Sequence, residues 1–170
     1  IYYRTSTNPP SITQLQSVID NSNPLLLSTG NPDLKQNYSH FFMTRFGFTN
    51  NKKAQSFFAF ASVNYTANNI ANSTFIADKD TLLNGNVLLR AGSQLSKPVN
   101  MDGNVNVNSF FTYALPINKI KCNLNFNLGY SYLRNPSLIN NETNVSNTHG
   151  INGGFVLSSN ISDKIDFTLN

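Results

Sequence analysis

The sequence predicts an all-β chain: an antiparallel up-and-down segment of a transmembrane β-barrel, with about seven meandering strands, long loops on one side and short turns on the other. Three observations predict it. Long runs alternate strictly between apolar and polar residues. Their polar face is mainly Asn, with few charges. The connections between runs alternate between long and short.

The alternation is clearest from Asn100 to Arg134. Met101, Val105, Val107, Phe111, Tyr113 and Leu115 fall on odd positions, while Asn104, Asn106, Asn108 and Thr112 fall on even ones. After a break at 116–120, Cys122, Leu124, Phe126, Leu128, Tyr130 and Tyr132 alternate with Asn123, Asn125, Asn127, Gly129 and Ser131. A period of two is that of a strand with unlike faces, and a helix would scatter these side chains around its circumference. Ordinary strands have about 5–6 residues, and these runs are roughly two to three times as long. A run of about 16 residues rises roughly 50 Å, enough to cross an apolar band of about 25 Å even when tilted. Uncharged amides suit a wet lumen wall, so Asn104, Asn106, Asn108, Asn123, Asn125 and Asn127 are read as lumen-facing. Tyr113, Tyr130 and Tyr132 lie on the apolar face and are read as an interfacial aromatic girdle, with the ring buried and the hydroxyl wet.

Taken in order, a first strand covers Ile1 to about Thr5. A long polar connection follows through Lys35. In it, Ile12, Leu15, Val18 and Ile19 have the spacing of a short helix. A second strand runs from about Asn37 to Thr49, with Tyr38, His40, Phe42, Phe46 and Phe48 on one face. Asn50-Asn51-Lys52-Lys53 makes a short turn. The third strand starts near Gln55 and persists to about Asn72, with Phe58 and Phe60 on its polar side. A second long connection, Ser73 to Val99, contains weakly β segments that suggest a projecting hairpin. The two runs from Asn100 to Arg134 are the fourth and fifth strands. Asn135-Pro136 opens a third long connection through His149. Ile151 to Ile161 forms a sixth strand, and Ser162-Asp163-Lys164 turns into a seventh at Ile165, Phe167 and Leu169. In lipid every strand edge must pair, so these strands belong to a closed barrel. Strand-like residues at both ends of the sequence predict one partial outer-membrane barrel domain over 1–170, cut within strands at both ends.

Composition bounds the function. Charged residues make up 12% of the chain, the net charge is +4, and Asn is roughly one residue in six. The lysines Lys52, Lys53, Lys119, Lys121 and Lys164 are dispersed among turns, whereas a nucleic-acid surface concentrates basic residues among aromatics on one face. No nucleic-acid partner is expected. No apolar run reaches the length of a membrane helix, which says nothing against a strand-built membrane protein. Catalysis finds no constellation. His40 and His149 stand apart, without ligands at metal spacing. Cys122 has no nearby His and faces the apolar side, so it reads as a small hydrophobe. Asp78-Lys79-Asp80 lacks the Gly and terminal Glu of a calcium loop. Arg90, Lys97 and Arg134 lie toward the long-loop side, as solvated residues or as contacts to lipid phosphate. The chain is read as a non-enzyme with no cofactor and no metal.

A resemblance adds to this reading. Gly30-Asn31-Pro32-Asp33-Leu34-Lys35, followed by Ser39, resembles the G-N-P-x-L-K-P-E-x-S signature of the barrels of TonB-dependent outer-membrane receptors. Upstream, Pro10-Ser11-Ile12-Thr13-Gln14-Leu15 is similar to the P-S-x-x-E-L element that precedes it there. Gln14, Gln36 and Asn37 depart from the pattern. The Asn-rich style is similar to outer-membrane barrels of Bacteroidota. The resemblance implies an energised transporter in the cell outer membrane, in contact with outer-membrane lipid. It implies a plug domain and a TonB-type periplasmic partner in the parent protein, and an unidentified solute ligand. Two other architectures fit the same residues: a passive porin or structural barrel, and a secreted soluble β-sandwich such as an adhesin.

Overall fold

The computed structural model describes residues 1–83, 87–159 and 167–169. In chain order the elements are β1 (Tyr2–Asn8), α1 (Ile12–Leu15), β2 (Ile19–Asp20), β3 (Leu26–Thr29), β4 (Asn37–Asn50), β5 (Gln55–Ala67) and β6 (Asn69–Ile76). They continue with β7 (Thr81–Leu83), β8 (Val87–Leu89), β9 (Gln94–Met101), β10 (Asn104–Ile117), β11 (Cys122–Ile139), β12 (Glu142–Ser159) and β13 (Thr168–Leu169). The described residues thus form 13 strands rather than about seven. The surplus lies in the connections, which pair as strands instead of looping.

The wall is the antiparallel series β1-β4-β5-β10-β11-β12-β13. Among the described residues this sheet is open: its ends, β1 and β13, do not pair with each other. The register sorts the side chains into two faces. Phe42, Val63, Val107, Tyr132 and His149 stand in one row across five strands. The next row belongs to the other face and holds Arg4, Phe41, Asn64 and Asn106. Short connections close one end, at 51–54 between β4 and β5 and at Asn118–Ile120 between β10 and β11. In the second, Lys121 is left-handed, with φ 48°. The expected turn at 162–164 lies outside the described residues.

At the opposite end the structure departs from the sequence reading in two places. The expected long connection 135–149 does not exist. β11 and β12 each run 18 residues and meet at a two-residue turn, Asn140-Asn141. Both turn residues have positive φ, 49° and 67°. Two-residue hairpins favour that conformation because it matches strand twist, and Asn tolerates it. Pro136 is accommodated because β11 lacks a neighbour on its other side there. The register with β10 stops at Arg134, and the register with β6 begins at Leu138. On that open side no ladder partner calls for the N–H that proline lacks, while Val145 pairs with Pro136 on the other.

The second departure is a hinge. The strand beginning at Gln55 ends at Ala67, not near Asn72, and the run expected from Asn100 is cut by Asp102 and Gly103. Asn68 (φ 49°) and Gly103 (φ 87°) turn the hairpin over. Below the hinge its second strand, β10, borders β11; above it the first strand, β6, does. β9 then pairs β6, β3 joins β9 in parallel, and β2 closes the edge. These strands and the small β7–β8 ribbon carry their own core of Leu27, Ala77 and Leu89, with Ile19, Leu83, Val87 and Leu95 packed against it. The long connections therefore build a folded cap at the end opposite the short turns. The helix expected among Ile12, Leu15, Val18 and Ile19 is a single turn, Ile12–Leu15.

Candidate functional site

The wall presents two chemically distinct surfaces. On the apolar face Phe46 is 59% exposed, Phe155 52% and Ile151 78%. Removing each such side chain from water is worth about 1.5–3 kcal/mol, so a face built this way requires an apolar medium. From Val105 to Leu115 this face extends about 33 Å along the strand. After a tilt of roughly 35–45° that is about 25 Å, the height of the apolar band of an outer-membrane barrel. No described helix is long and apolar enough to cross a membrane.

At the cap-side edge of the apolar face lie two Tyr–His clusters. Tyr3 Oη is 2.8 Å from His40 Nδ1, and Tyr38 packs edge-on against the same imidazole at 4.7 Å between ring centroids. Tyr130 Oη is 3.0 Å from His149 Nδ1, and the ring of Tyr132 lies 4.9 Å from that of His149. Tyr113 is not at this level. It packs near Phe57 toward the short turns, about 13–20 Å along the strand from Tyr130 and Tyr132. The three tyrosines thus occupy two heights on the apolar face. Cys122 is buried, and its Sγ lies 3.2 Å from the carbonyl of Ile120.

The other face holds Asn104, Asn106, Asn108, Asn123, Asn125 and Asn127 together, by register. Four of the six, Asn104, Asn106, Asn108 and Asn127, hydrogen-bond to a neighbouring Asn or hydroxyl. Asn108 donates to Asn106 Oδ1 (2.8 Å), Asn104 to Asn135 Oδ1 (3.1 Å), and Thr112 Oγ1 to Asn127 Oδ1 (2.8 Å). Phe58 and Phe60 also lie here, each against Phe110, with centroids 5.6 and 5.4 Å apart. Sequence reasoning missed Phe110, although its even position carried the signal.

The residues carrying the family resemblance converge at the root of the cap. Ser11 and Gln14 form a capping box around α1: the Gln14 amide donates to Ser11 Oγ, and the Ser11 amide donates to Gln14 Oε1. Gln, like Glu, can fill this position of a capping box. Gly30 N–H donates to Gln16 O (2.8 Å), and Asn31 N–H to Gln14 O (2.6 Å), so the two elements join backbone to backbone. A Cβ on Gly30 would lie 2.3 Å from Gln16 O and 2.7 Å from Gln14 O, which is why the position requires glycine. Asn31 accepts from Asp33 N–H and donates to the Pro98 carbonyl of β9. Leu34 is buried, Leu15 is half-buried, and Pro10 and Pro32 flank the two junctions. Lys35 exchanges two hydrogen bonds with the Asn100 side chain, at 2.7 and 2.9 Å. Ser39 Oγ meets Thr66 Oγ1 across β4 and β5 at 3.1 Å.

Asn100 also donates to Asn68 O at the hinge, where Asp102 Oδ1 accepts from Asn68 N–H. Arg134 donates to Gly103 O at 2.5 Å, so this guanidinium serves the hinge. Asn140 ties the β11–β12 tip to β6, accepting from Ile76 N–H and donating its own N–H to Thr74 O. In the cap, Asp80 Oδ1 accepts from Ala91 N–H. The Asp20 carboxyl is held below its ordinary value by hydrogen bonds from the Ser22 hydroxyl and amide. Among the described residues no group of three or more His, Cys, Asp or Glu is placed to hold a metal.

An antiparallel wall with one lipid-suited face, one amide face and a cap at one end defines a membrane-spanning β-wall. The comparison with known families agrees: over residues 1–170 the chain matches the outer membrane protein beta-barrel family, and it belongs to that family. Its place is the outer membrane. No curated protein and no solved structure matches it.

Proposed function

We propose that the chain forms the wall and outward cap of a TonB-dependent-receptor-like transporter for solute uptake, of the kind found in Bacteroidota. In this reading the apolar face meets lipid and the Asn face lines the interior. A plug domain and a TonB-type periplasmic partner act in the parent protein, and the chain performs no catalytic step. The observation that carries the proposal is the clasp. The two elements resembling the receptor signature meet through Gly30, Asn31 and the α1 carbonyls, and are fastened to β9 by Asn31 and Asn100. Loops fixed in this way suit a receptor that must present a constant outward surface to a scarce solute. A passive porin has the same wall without the plug.

Conductance separates the two. The parent protein, purified and reconstituted in a planar bilayer without its energy-coupling partner, is expected to remain closed. A steady open conductance would replace the transporter with a porin.

A further inference from the structure

The Asn face contains a hollow of about 350 Å³ that the barrel wall does not require. Arg4, Ser6, Asn8, Ser39, Phe41, Ser62, Asn64, Asn106 and Asn108, from four adjacent strands, line it. No carboxylate is among them. Arg4 lies over the Phe41 ring at 5.5 Å, which fixes its guanidinium without neutralising it. Asn106 Oδ1 already accepts one hydrogen bond from Asn108, and the Asn106 side chain adds an NH2 group to the lining. Within the wall, from the short-turn end to the row of Asn104, the charged residues described on this face are Arg4 and Arg45, with no Asp or Glu. Arg45 follows Phe41 on β4 at about 13 Å along the strand and adds to the same positive potential.

We infer that this hollow is an anion-binding site, taking the oxyanion of a carboxylate- or phosphate-bearing solute on its way through the barrel. Arg4 supplies the charge and a planar fork of donors suited to such groups. The hydroxyls and amides beside it satisfy the remaining oxygens without competing charge. The inference deepens the transporter reading and rests on the Asn face lining the interior.

The test uses the full parent protein in detergent, titrated calorimetrically with inorganic phosphate, with succinate, and with glycerol as the neutral control. Binding of phosphate, succinate or both, with none for glycerol, is expected, and the pattern separates the two oxyanion classes. Arg4→Gln should weaken that binding about tenfold or more, because charge-assisted bonds are the stronger kind. Asn64→Asp, nearly isosteric, should do the same by placing a carboxylate one strand beyond Phe41. Failure of both anions to bind, or binding unchanged in both variants, would overturn the site. Asn125→Cys in a Cys122→Ser background distinguishes the two levels of the argument. If a membrane-impermeant thiol reagent labels it while the anions fail to bind, only the site is lost. If it does not label, the interior assignment is lost and the site with it.

Discussion

Gly30→Ala should unfasten the cap while leaving the wall intact. The new methyl would sit 2.3 Å from Gln16 O, 2.7 Å from Gln14 O and 2.8 Å from Gln16 N. All three are backbone atoms, so no side chain can swing aside. The chain has two ways out. It can keep the contact and absorb the strain, at about 1–3 kcal/mol for overpacking. Or it can separate and lose the bonds of Gly30 and Asn31 to Gln16 and Gln14, at about 1 kcal/mol each. It takes the cheaper route, so the expected cost is about 1–2 kcal/mol, or about 5- to 30-fold in the local opening equilibrium. Hydrogen exchange of the parent protein reads this directly. Amides at 30–35 should lose protection by that factor, and those at 104–117 should not change. Protection at 30–35 within about twofold of wild type would refute the argument that close backbone approach holds the clasp.

Other consequences follow from the faces and the cap. Leu128→Arg should destabilise the parent barrel by about 2–4 kcal/mol in a reversible unfolding titration in lipid, because it puts a charge on the lipid face. Asn127→Arg, one residue away on the other face, should cost less than about 1 kcal/mol if that face is wet; equal costs would contradict the assignment of faces. The Asp20 carboxyl titrates below its ordinary value in the folded state. Its contribution is therefore fully present above the ordinary value and is lost as pH falls through the lowered one. Ser22→Ala should return the Asp20 midpoint, followed by NMR, toward the ordinary carboxylate value, and an unmoved midpoint would show that Ser22 is not the cause.

The wall was legible because its information is periodic. From Val105 to Leu115 and from Cys122 to Tyr132 most residues state their face, Ser109 and Phe110 being the exceptions, and the register keeps the two parities on opposite faces. The hinge was hidden by the same regularity. Met101 and Val105 keep odd parity across Asp102 and Gly103, so a break in the strand left the alternation unbroken. The cap was illegible for another reason. Its core of Leu27, Ala77 and Leu89 is drawn from three distant segments; the weakly β stretches within 73–99 do pair as β6–β9 and β7–β8, but nothing in them signalled that Leu27 would join them. The Asn residues that fasten it, Asn31, Asn100 and Asn140, do not stand out in a chain where Asn is everywhere. Asn135-Pro136 reads as the opening of a connection, whereas Pro136 lies within β11 and the turn falls at Asn140-Asn141. Only the absence of a second neighbour at Pro136 reconciles the two. The motif residues could be found by resemblance, while their physical role emerges from the backbone contacts at Gly30 and Asn31.

The most direct test of the central claim is spin-label accessibility in the parent protein reconstituted in lipid, with single labels at Val107, Leu124 and Leu128 and at Asn106 and Asn125. The first three should relax with dissolved oxygen, which concentrates in hydrocarbon, and the two Asn positions with a water-soluble nickel complex. Burial of Val107, Leu124 and Leu128 from both reagents would mean that this face packs against protein, and the membrane wall would be wrong.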